Sequence, residues 1–341
     1  MKNKANILKY QAFWPFAILL LIIILNGIIT GGSFFEIKIV DDHLYGRIID
    51  ILRNGSKLML LSIGMTLVLA TKGTDISVGS VMAISGAIAC SIVSGNILTG
   101  VGGNVAIAVI IAIFAGVLCG LWNGFLVSKI QIQPIVATMI LMVAGRGIAQ
   151  LITKGQIVTV NSDSYYFING GYILGLPFPL FIVAFALILA LLFTKRTALG
   201  LFVESVGCNP VSSHFAGINA RRVKLLVYTI CGGMAAVAGL IESAGIKGAD
   251  CNNAGLMIEL DAILAVAIGG TSLNGGRFSI PASIAGALII QSITTTVYAV
   301  GIPPEITQVI KAILVIIICL FQSPEFKAAF ITKLHLRKAV Q

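Results

Sequence analysis

Stretches of about 20 apolar residues recur along this chain, separated by connections too short to fold by themselves. Inside a bilayer every backbone N–H and C=O must be satisfied within the segment, so an apolar run of that length folds as a helix crossing a hydrocarbon core of about 30 Å. Only 11% of the residues are charged and 57% are hydrophobic, whereas a soluble domain carries about 25% charged residues. The 341 residues therefore have room for roughly ten spans and no large soluble domain. The predicted fold is an all-α polytopic membrane protein, a single transmembrane domain over residues 1–341 embedded in lipid.

Hydropathy together with Gly, Pro and charge punctuation sets the spans at about 13–31, 50–71, 78–95, 104–128, 133–153, 176–194, 222–245, 259–275, 279–300 and 305–323. The first apolar run, Trp14 to Thr30, follows Lys2, Lys4 and Lys9 in the manner of a secretory signal. Its core is longer than a signal's and no A-x-A site follows, which predicts an uncleaved first span; cleavage would leave nine. Glycine, alanine and serine crowd the spans, as in Ser85-Gly86-Ala87, Gly116 with Gly120 and Gly124, and Gly232-Gly233. Small residues let helices approach closely where lipid supplies no hydrophobic drive for association.

The net charge of +10 does not point to nucleic acid, because Lys and Arg stand singly or in small groups with no basic face or aromatic platform. With a cytoplasmic N-terminus, most of the 23 Lys and Arg fall at inner ends, including Lys72, Lys129, Lys195, Arg196, Arg221, Arg222, Lys224 and Arg277. Lys38, Arg47, Arg53, Lys57, Lys154 and Lys247 fall at outer ends. That asymmetry predicts both termini in the cytoplasm. The six cysteines form no C-x-x-C pair and mostly sit in apolar runs, and the three histidines are scattered. No disulfide, metal site, cofactor or catalytic cluster is expected.

The second span ends in Gly73-Thr74-Asp75 before the small-residue run Val78 to Ala89, and the seventh ends in Gly248-Ala249-Asp250 before Leu260 to Gly270. An inverted repeat relating the second to fifth and seventh to tenth spans would place these echoes on opposite membrane sides. A pattern as short as G-x-D also arises by chance.

Several stretches resemble the ribose/galactose-type permeases of ABC importers. They are Ile63 to Val68 running into Gly73-Thr74-Asp75-Ile76-Ser77-Val78-Gly79-Ser80, Gly120-Leu121-Trp122-Asn123-Gly124, Pro134 through Gly147, Ala216-Gly217-Ile218, Glu259-Leu260-Asp261-Ala262-Ile263, and Ile268 through Arg277. Order and spacing agree from about residue 50 to 320. Val143 to Gly147 with Gln150, Gly155 to Thr159, and Ala249-Asp250 with Asn252 to Gly255 look most like the galactofuranose importers within that family.

The resemblance implies a transport subunit in the bacterial cytoplasmic membrane, not an enzyme, carrying a monosaccharide of the galactose/galactofuranose or ribose class. It implies three partners: a cytoplasmic ATPase, a periplasmic or extracellular sugar-binding protein, and a second permease subunit, identical or homologous. The chain carries no G-x-x-x-x-G-K-[ST] phosphate loop, so the motor is expected on another polypeptide. In Lys195 to Arg221, Leu199, Phe202, Val203 and Val206 recur at helical spacing beside Glu204 and Ser205, the pattern of a short helix lying on the membrane surface. In the family this loop couples to the ATPase, which singles out Glu204, Gly207, Asn209, Ala216, Gly217 and Ile218. Pro210, Ser212 and Ser213 depart from the Ala-rich stretch the family has there.

Asp75, Arg146, Gln156, Asn252 and Asn253 are candidates for the pathway or a gate. Asp75 alternatively caps the third span, as Glu259 and Asp261 would cap the eighth. Arg146 lies deep in a span, and a buried pairing with Glu242 competes with snorkelling to the outer surface; Lys311 poses the same choice. Amides such as Asn252, Asn253 and Gln156 suit sugar hydroxyls, though loop amides are usually just solvated. The rival function is an ion-gradient-driven secondary transporter, which would want intramembrane carboxylates or broken helices around an ion site; Asp75 and Glu242 come nearest.

Overall fold

The computed structural model describes residues 2–299 except 30, 31, 33, 37, 41, 42 and 98–102, and beyond them 301, 303, 306, 308, 309, 311–313 and 316. Most of it is helix: α1 (Lys2–Ile29), α2 (Arg47–Ala70), α3 (Val78–Val93), α4 (Val105–Phe125), α5 (Pro134–Ile152), α6 (Asp163–Gly170), α7 (Phe178–Arg196), α8 (Leu199–Cys208), α9 (Pro210–Phe215), α10 (Ala220–Gly245), α11 (Ile258–Ile268) and α12 (Ile280–Ala299). A π-helical turn, Leu126–Ile130, prolongs α4. Each of the nine apolar stretches predicted between residues 13 and 300 holds one helix. The tenth, 305–323, lies largely outside the described residues.

Every residue of α2 from Leu58 to Ala70 is buried, which places this helix at the centre of the bundle. Its two hydroxyls in that stretch turn back on the helix: Ser62 Oγ donates to Leu58 O at 2.7 Å and Thr66 Oγ1 to Ser62 O at 2.5 Å. No polar atom is thereby left facing the apolar surroundings. Helix α10 runs antiparallel to α2 and approaches it at Gly64, where a Cβ would stand 2.9 Å from the Cα of Cys231.

The glycines at 116, 120 and 124 form one stripe of α4, and that stripe is the seam with α10. A Cβ on Gly116 would strike Ala236, one on Gly120 the Tyr228 carbonyl, and one on Gly124 would come 2.9 Å from Leu225 O. Backbones meet directly along it, which is how small residues let dispersion hold helices together in lipid.

Two helices are shorter than their apolar stretches suggested. Helix α3 has 16 residues and α11 only 11, about 24 and 16 Å at 1.5 Å per residue. The expected eighth span, 259–275, stops at Ile268, where Gly269 and Gly270 turn the chain; Gly270 has φ +80°. Among the described residues five helices are long and apolar enough to cross a membrane: Val105–Ile130, Pro134–Ile152, Phe178–Arg196, Ala220–Gly245 and Ile280–Ala299.

The segments that precede α3 and α11 are built alike. After α2 the chain leaves the helix through Lys72 (φ 60°) into Gly73, and after α10 through Lys247 (φ 53°) into Gly248. The same exit recurs after α5 at Lys154 (φ 54°) and Gly155, so it is a shared left-handed C-terminal turn. What sets the first two apart is the aspartate that follows. Asp75 Oδ1 accepts the N–H of Ser77 at 2.9 Å, and Asp250 Oδ1 accepts those of Asn252 and Asn253 at 3.1 and 3.2 Å.

The two loops enter from opposite ends, because α2 and α10 are antiparallel. At the end of α2 gather α8, α9 and the Gly275-Gly276 turn, whose Gly276 N–H donates to Ala70 O at 2.9 Å. At the far end β3 (Val158–Thr159) pairs with β6 (Gly248–Ala249), and α6 packs there through Tyr165. Two hairpins complete the far end, β1 (Lys38–Val40) with β2 (His43–Tyr45) and β4 (Tyr172–Ile173) with β5 (Leu176–Pro177). Stacking of His43 on Tyr172 at 4.3 Å between ring centroids joins them.

Candidate functional site

At the α8 end, the segment expected to be one surface helix is two. Of the face expected from Leu199, Phe202, Val203 and Val206, Val203 and Val206 are fully buried and Leu199 half-buried, while Phe202 is exposed. Asn209 then breaks the helix and caps the next, its Oδ1 accepting the N–H groups of Val211 and Ser212 at 3.0 and 3.1 Å, while Pro210 takes the first helical position where it lacks nothing. Gly207 sits where a Cβ would strike Ala70 O and come 2.5 Å from Gly276 N. Lys72 Nζ donates to Cys208 O at 3.2 Å. Helix α8 is therefore fastened to the end of the central helix α2. Beyond it α9 projects, with Phe215 and Val211 exposed, and ends in a turn at Ala216, Gly217 (φ +81°) and Ile218. Glu204 faces a cavity of about 490 Å³ shared with Lys195 and Arg277.

Further in, Asp75 is buried and held by protein. Besides the Ser77 backbone it accepts the Ser77 hydroxyl at 2.7 Å, and Asn123 Nδ2 donates to Ser77 Oγ at 2.8 Å. Neighbouring bonds fix the same loop: Tyr228 donates to Thr74 O at 3.2 Å, and the Ile76 N–H donates to Thr138 Oγ1 at 3.3 Å. Asp75 thus shapes the turn into α3 and lies two residues before its N-cap, Ser77, too early to cap the first helical amides. Asn123 belongs to this network with no polar neighbour in its own stretch of sequence to signal it.

The other loop is organised by Arg146. Its guanidinium Nη1 donates to Cys251 O at 2.9 Å and Ala254 O at 2.6 Å. The expected partner, Glu242, is not bonded to it; Glu242 pairs with Lys57 at 3.4 Å and accepts the Gly255 N–H at 3.5 Å. Arginine in a site of this kind serves as a two-pronged donor to backbone oxygens, which no carboxylate in the sequence announces. Gln150 Nε2 donates to Asn252 Oδ1 at 2.7 Å, and Asn253 Nδ2 to Asp250 Oδ2 at 2.8 Å. The Asn253 amide, the two loop N–H groups and the nearby Arg146 charge hold the Asp250 carboxyl below its ordinary range. Arg146 from α5 therefore meets the loop that carries Asn252 and Asn253. Asp75 lies apart from them on the loop from the other end, and Gln156 stands exposed in the turn after α5.

Where the loops converge, Gly79 in the first turn of α3 lies against Gly255, with Glu259 Oε2 2.8 Å from where a Gly79 Cβ would be. The carboxylates at the start of α11 divide their roles. Both carboxylates stand in the first turn of α11, where negative charge suits the helix dipole; Glu259 is buried at this crossing, and Asp261 also pairs with Lys311 at 2.7 Å.

The family described as branched-chain amino acid transport system / permease component matches residues 47–319. The chain belongs to this permease family. Its similarity extends to a galactofuranose transporter permease protein of Escherichia coli (strain K12), 48% identical over 318 residues that cover 93% of this chain and 92% of the other. A fructose import permease protein of Bifidobacterium longum is 41% identical over 83% of the permease and 79% of its own length. A ribose import permease protein of Escherichia coli is 34% identical, covering 88% and 90% respectively. No solved structure matches the permease. The Gly79–Gly255 crossing, the Asp75 network and the Arg146 clamp all lie within the family match.

Proposed function

We propose that this permease is the membrane-spanning subunit of a binding-protein-dependent ABC importer that carries a monosaccharide of the galactose/galactofuranose or ribose class across the bacterial cytoplasmic membrane. The observation that carries the reading is the 48% identity, nearly end to end, to a galactofuranose transporter permease. The fructose and ribose permeases point to the same substrate class, and they are more specific guides than the amino-acid label of the broad family.

In this reading the chain crosses the membrane about ten times with both termini in the cytoplasm. The second to fifth and seventh to tenth spans are inverted copies, and the antiparallel α2 and α10 with their matching aspartate turns support that relation. The α8 end faces the cytoplasm, where residues 195–221 dock a separate ATPase through Glu204, Gly207, Asn209, Ala216, Gly217 and Ile218. Because α8 is tied to Ala70 and Cys208 is tied to Lys72, closure of the motor would push directly on the central helix as a rigid body. The loop clamped by Arg146, with Asn252 and Asn253, faces the sugar-binding protein and forms the outer gate together with Gln156; Asp75 holds the inner one. A second permease subunit, identical or homologous, completes the passage.

An ion-driven transporter would use a free intramembrane carboxylate. Asp75 has its hydrogen bonds from Ser77 and Glu242 its Lys57, which favours the importer. The test is sugar uptake into proteoliposomes holding the permease with its ATPase and binding protein. Uptake should require ATP; uptake by the permease alone, driven by a proton or sodium gradient, would contradict the proposal.

A further inference from the structure

A cavity of about 660 Å³ opens between α2, α11 and α12, within the 300–1,000 Å³ of small-molecule sites. The part of α2 that lines it runs Arg47, Asp50, Asn54, Lys57, spaced three or four residues apart and so on a single face of the helix. From α12 come Gln291, Thr295 and Tyr298, again one face. Both stretches lie at the end of the bundle away from α8.

A face with this density of charge and amide cannot rest against lipid, where each such group is costly; in a membrane helix it faces protein or water. Further down α2 the same helix is wholly buried among apolar side chains from Leu58 onward, so the polar face belongs to the cavity. Of its charges, Lys57 is paired with Glu242 and Asp261 with Lys311, while Arg47 and Asp50 stand one turn apart on α2 with opposite signs. Between them stand amides and a hydroxyl: Asn54, and Gln291, whose Nε2 donates to Thr295 Oγ1 at 3.3 Å and so presents its Oε1 and the Thr295 hydroxyl proton to the cavity, with the Tyr298 ring at the rim. Amides and hydroxyls each donate and accept, as every sugar hydroxyl does, and a tyrosine offers an apolar face with a polar tip.

We infer that this cavity is the chamber through which a neutral polyhydroxylated solute passes in the outer half of the permease, with Asn54, Gln291 and Thr295 as its hydrogen-bonding wall. The inference rests on the importer reading and adds to it where the sugar travels. Asp261 lines the chamber and lies two residues from Glu259 at the Gly79–Gly255 crossing, so movement of the two loops would reshape the chamber's floor.

The experiment uses the full complex of permease, ATPase and binding protein in proteoliposomes, with galactose, fructose, ribose and leucine as probes. Asn54→Leu, Gln291→Leu and Thr295→Val should each reduce ATP-driven sugar uptake by about tenfold, the effect of one lost hydrogen bond to a substrate. ATP hydrolysis stimulated by the binding protein should persist. In parallel, Thr295→Cys should react with an impermeant maleimide above the level of the parent chain, and transported sugar should slow that reaction. Unchanged uptake in all three variants beside an active wild type overturns the chamber while leaving the importer standing, as does a Thr295→Cys thiol that stays unlabelled or is indifferent to sugar. If a variant loses ATP hydrolysis as well as uptake, the labelling result decides. A wild-type complex that imports leucine and no sugar, or nothing, overturns both readings.

Discussion

The Cα of Gly79 lies 2.9 Å from where a Cβ on Gly255 would stand, so the first turn of α3 and the loop before α11, reached from opposite ends of the bundle, touch backbone to backbone. Neither position has room for a side chain, and Gly255 also has φ +62°, a conformation that disfavours any other residue. Gly79→Val should therefore destabilise by about 1–3 kcal/mol, the usual result of overpacking. Gly255→Ala should do likewise, since it adds backbone strain to the clash. Thermal unfolding in detergent reads both; an unchanged midpoint for either would mean that the loops are not in contact.

The α4 seam makes a prediction of opposite signs. A methyl on Gly120 meets backbone atoms of α10, including Thr229 Cα at 3.0 Å, whereas nothing lies within 4 Å of a methyl on Gly147. Gly120→Ala should cost about 1–3 kcal/mol. Gly147→Ala, in the middle of α5, should be neutral or stabilising by up to about 1 kcal/mol through helix propensity. The same unfolding assay compares them, and equal effects would contradict the packing described.

Removing the Arg146 clamp should loosen one loop and spare the other. Arg146→Met leaves the Cys251 and Ala254 carbonyls without their charged donor, at a cost of about 1–3 kcal/mol. Arg146→Lys, a single compact donor, should restore only part of it. Hydrogen exchange should accelerate across residues 250–257 and stay unchanged across 71–77. Acceleration in both segments, or in neither, would go against a local clamp.

The same loop should be pH-dependent only in acid. The Asp250 carboxyl is held below its ordinary value of 3.8, first by the Asn253 side-chain hydrogen bond, with smaller help from the Asn252 and Asn253 backbone and from Arg146. A depressed carboxylate contributes its full stabilisation above the unfolded value and loses it as pH falls through the folded one. Protection of 250–257 should hold constant from pH 7 to about 5 and fall below about 4. Asp250→Asn should flatten that dependence; a wild-type loop that loosens between pH 7 and 5 would implicate another group.

Hydropathy located the helices well because lipid leaves a spanning segment no other way to satisfy its backbone. The glycine seam at 116, 120 and 124 was legible because small residues four apart mark a helix face that a neighbour can approach closely. Length was less legible. Gly269 and Gly270 sit in an apolar run that looks like the rest of a span, and only the packing of Gly269 against Ser283 reveals that α11 has ended. Side-chain partners were least legible. Arg146 binds carbonyls, which every residue has, so its partners leave no mark in the sequence. Lys311 and Asp261 stand fifty residues apart, and Asn123 reaches Ser77 through a close helix crossing. On α2 the sequence shows Arg47 and Lys57 only as cations at an outer end, because the Gln291 and Thr295 that share their cavity are distant in the chain.

Sidedness tests the account most directly. In proteoliposomes holding the complete complex, sugar should accumulate only when the binding protein meets the face bearing residues 246–257 while ATP meets the face bearing α8 and α9. Accumulation with the two reagents exchanged, or with an ion gradient and no ATP, would contradict it.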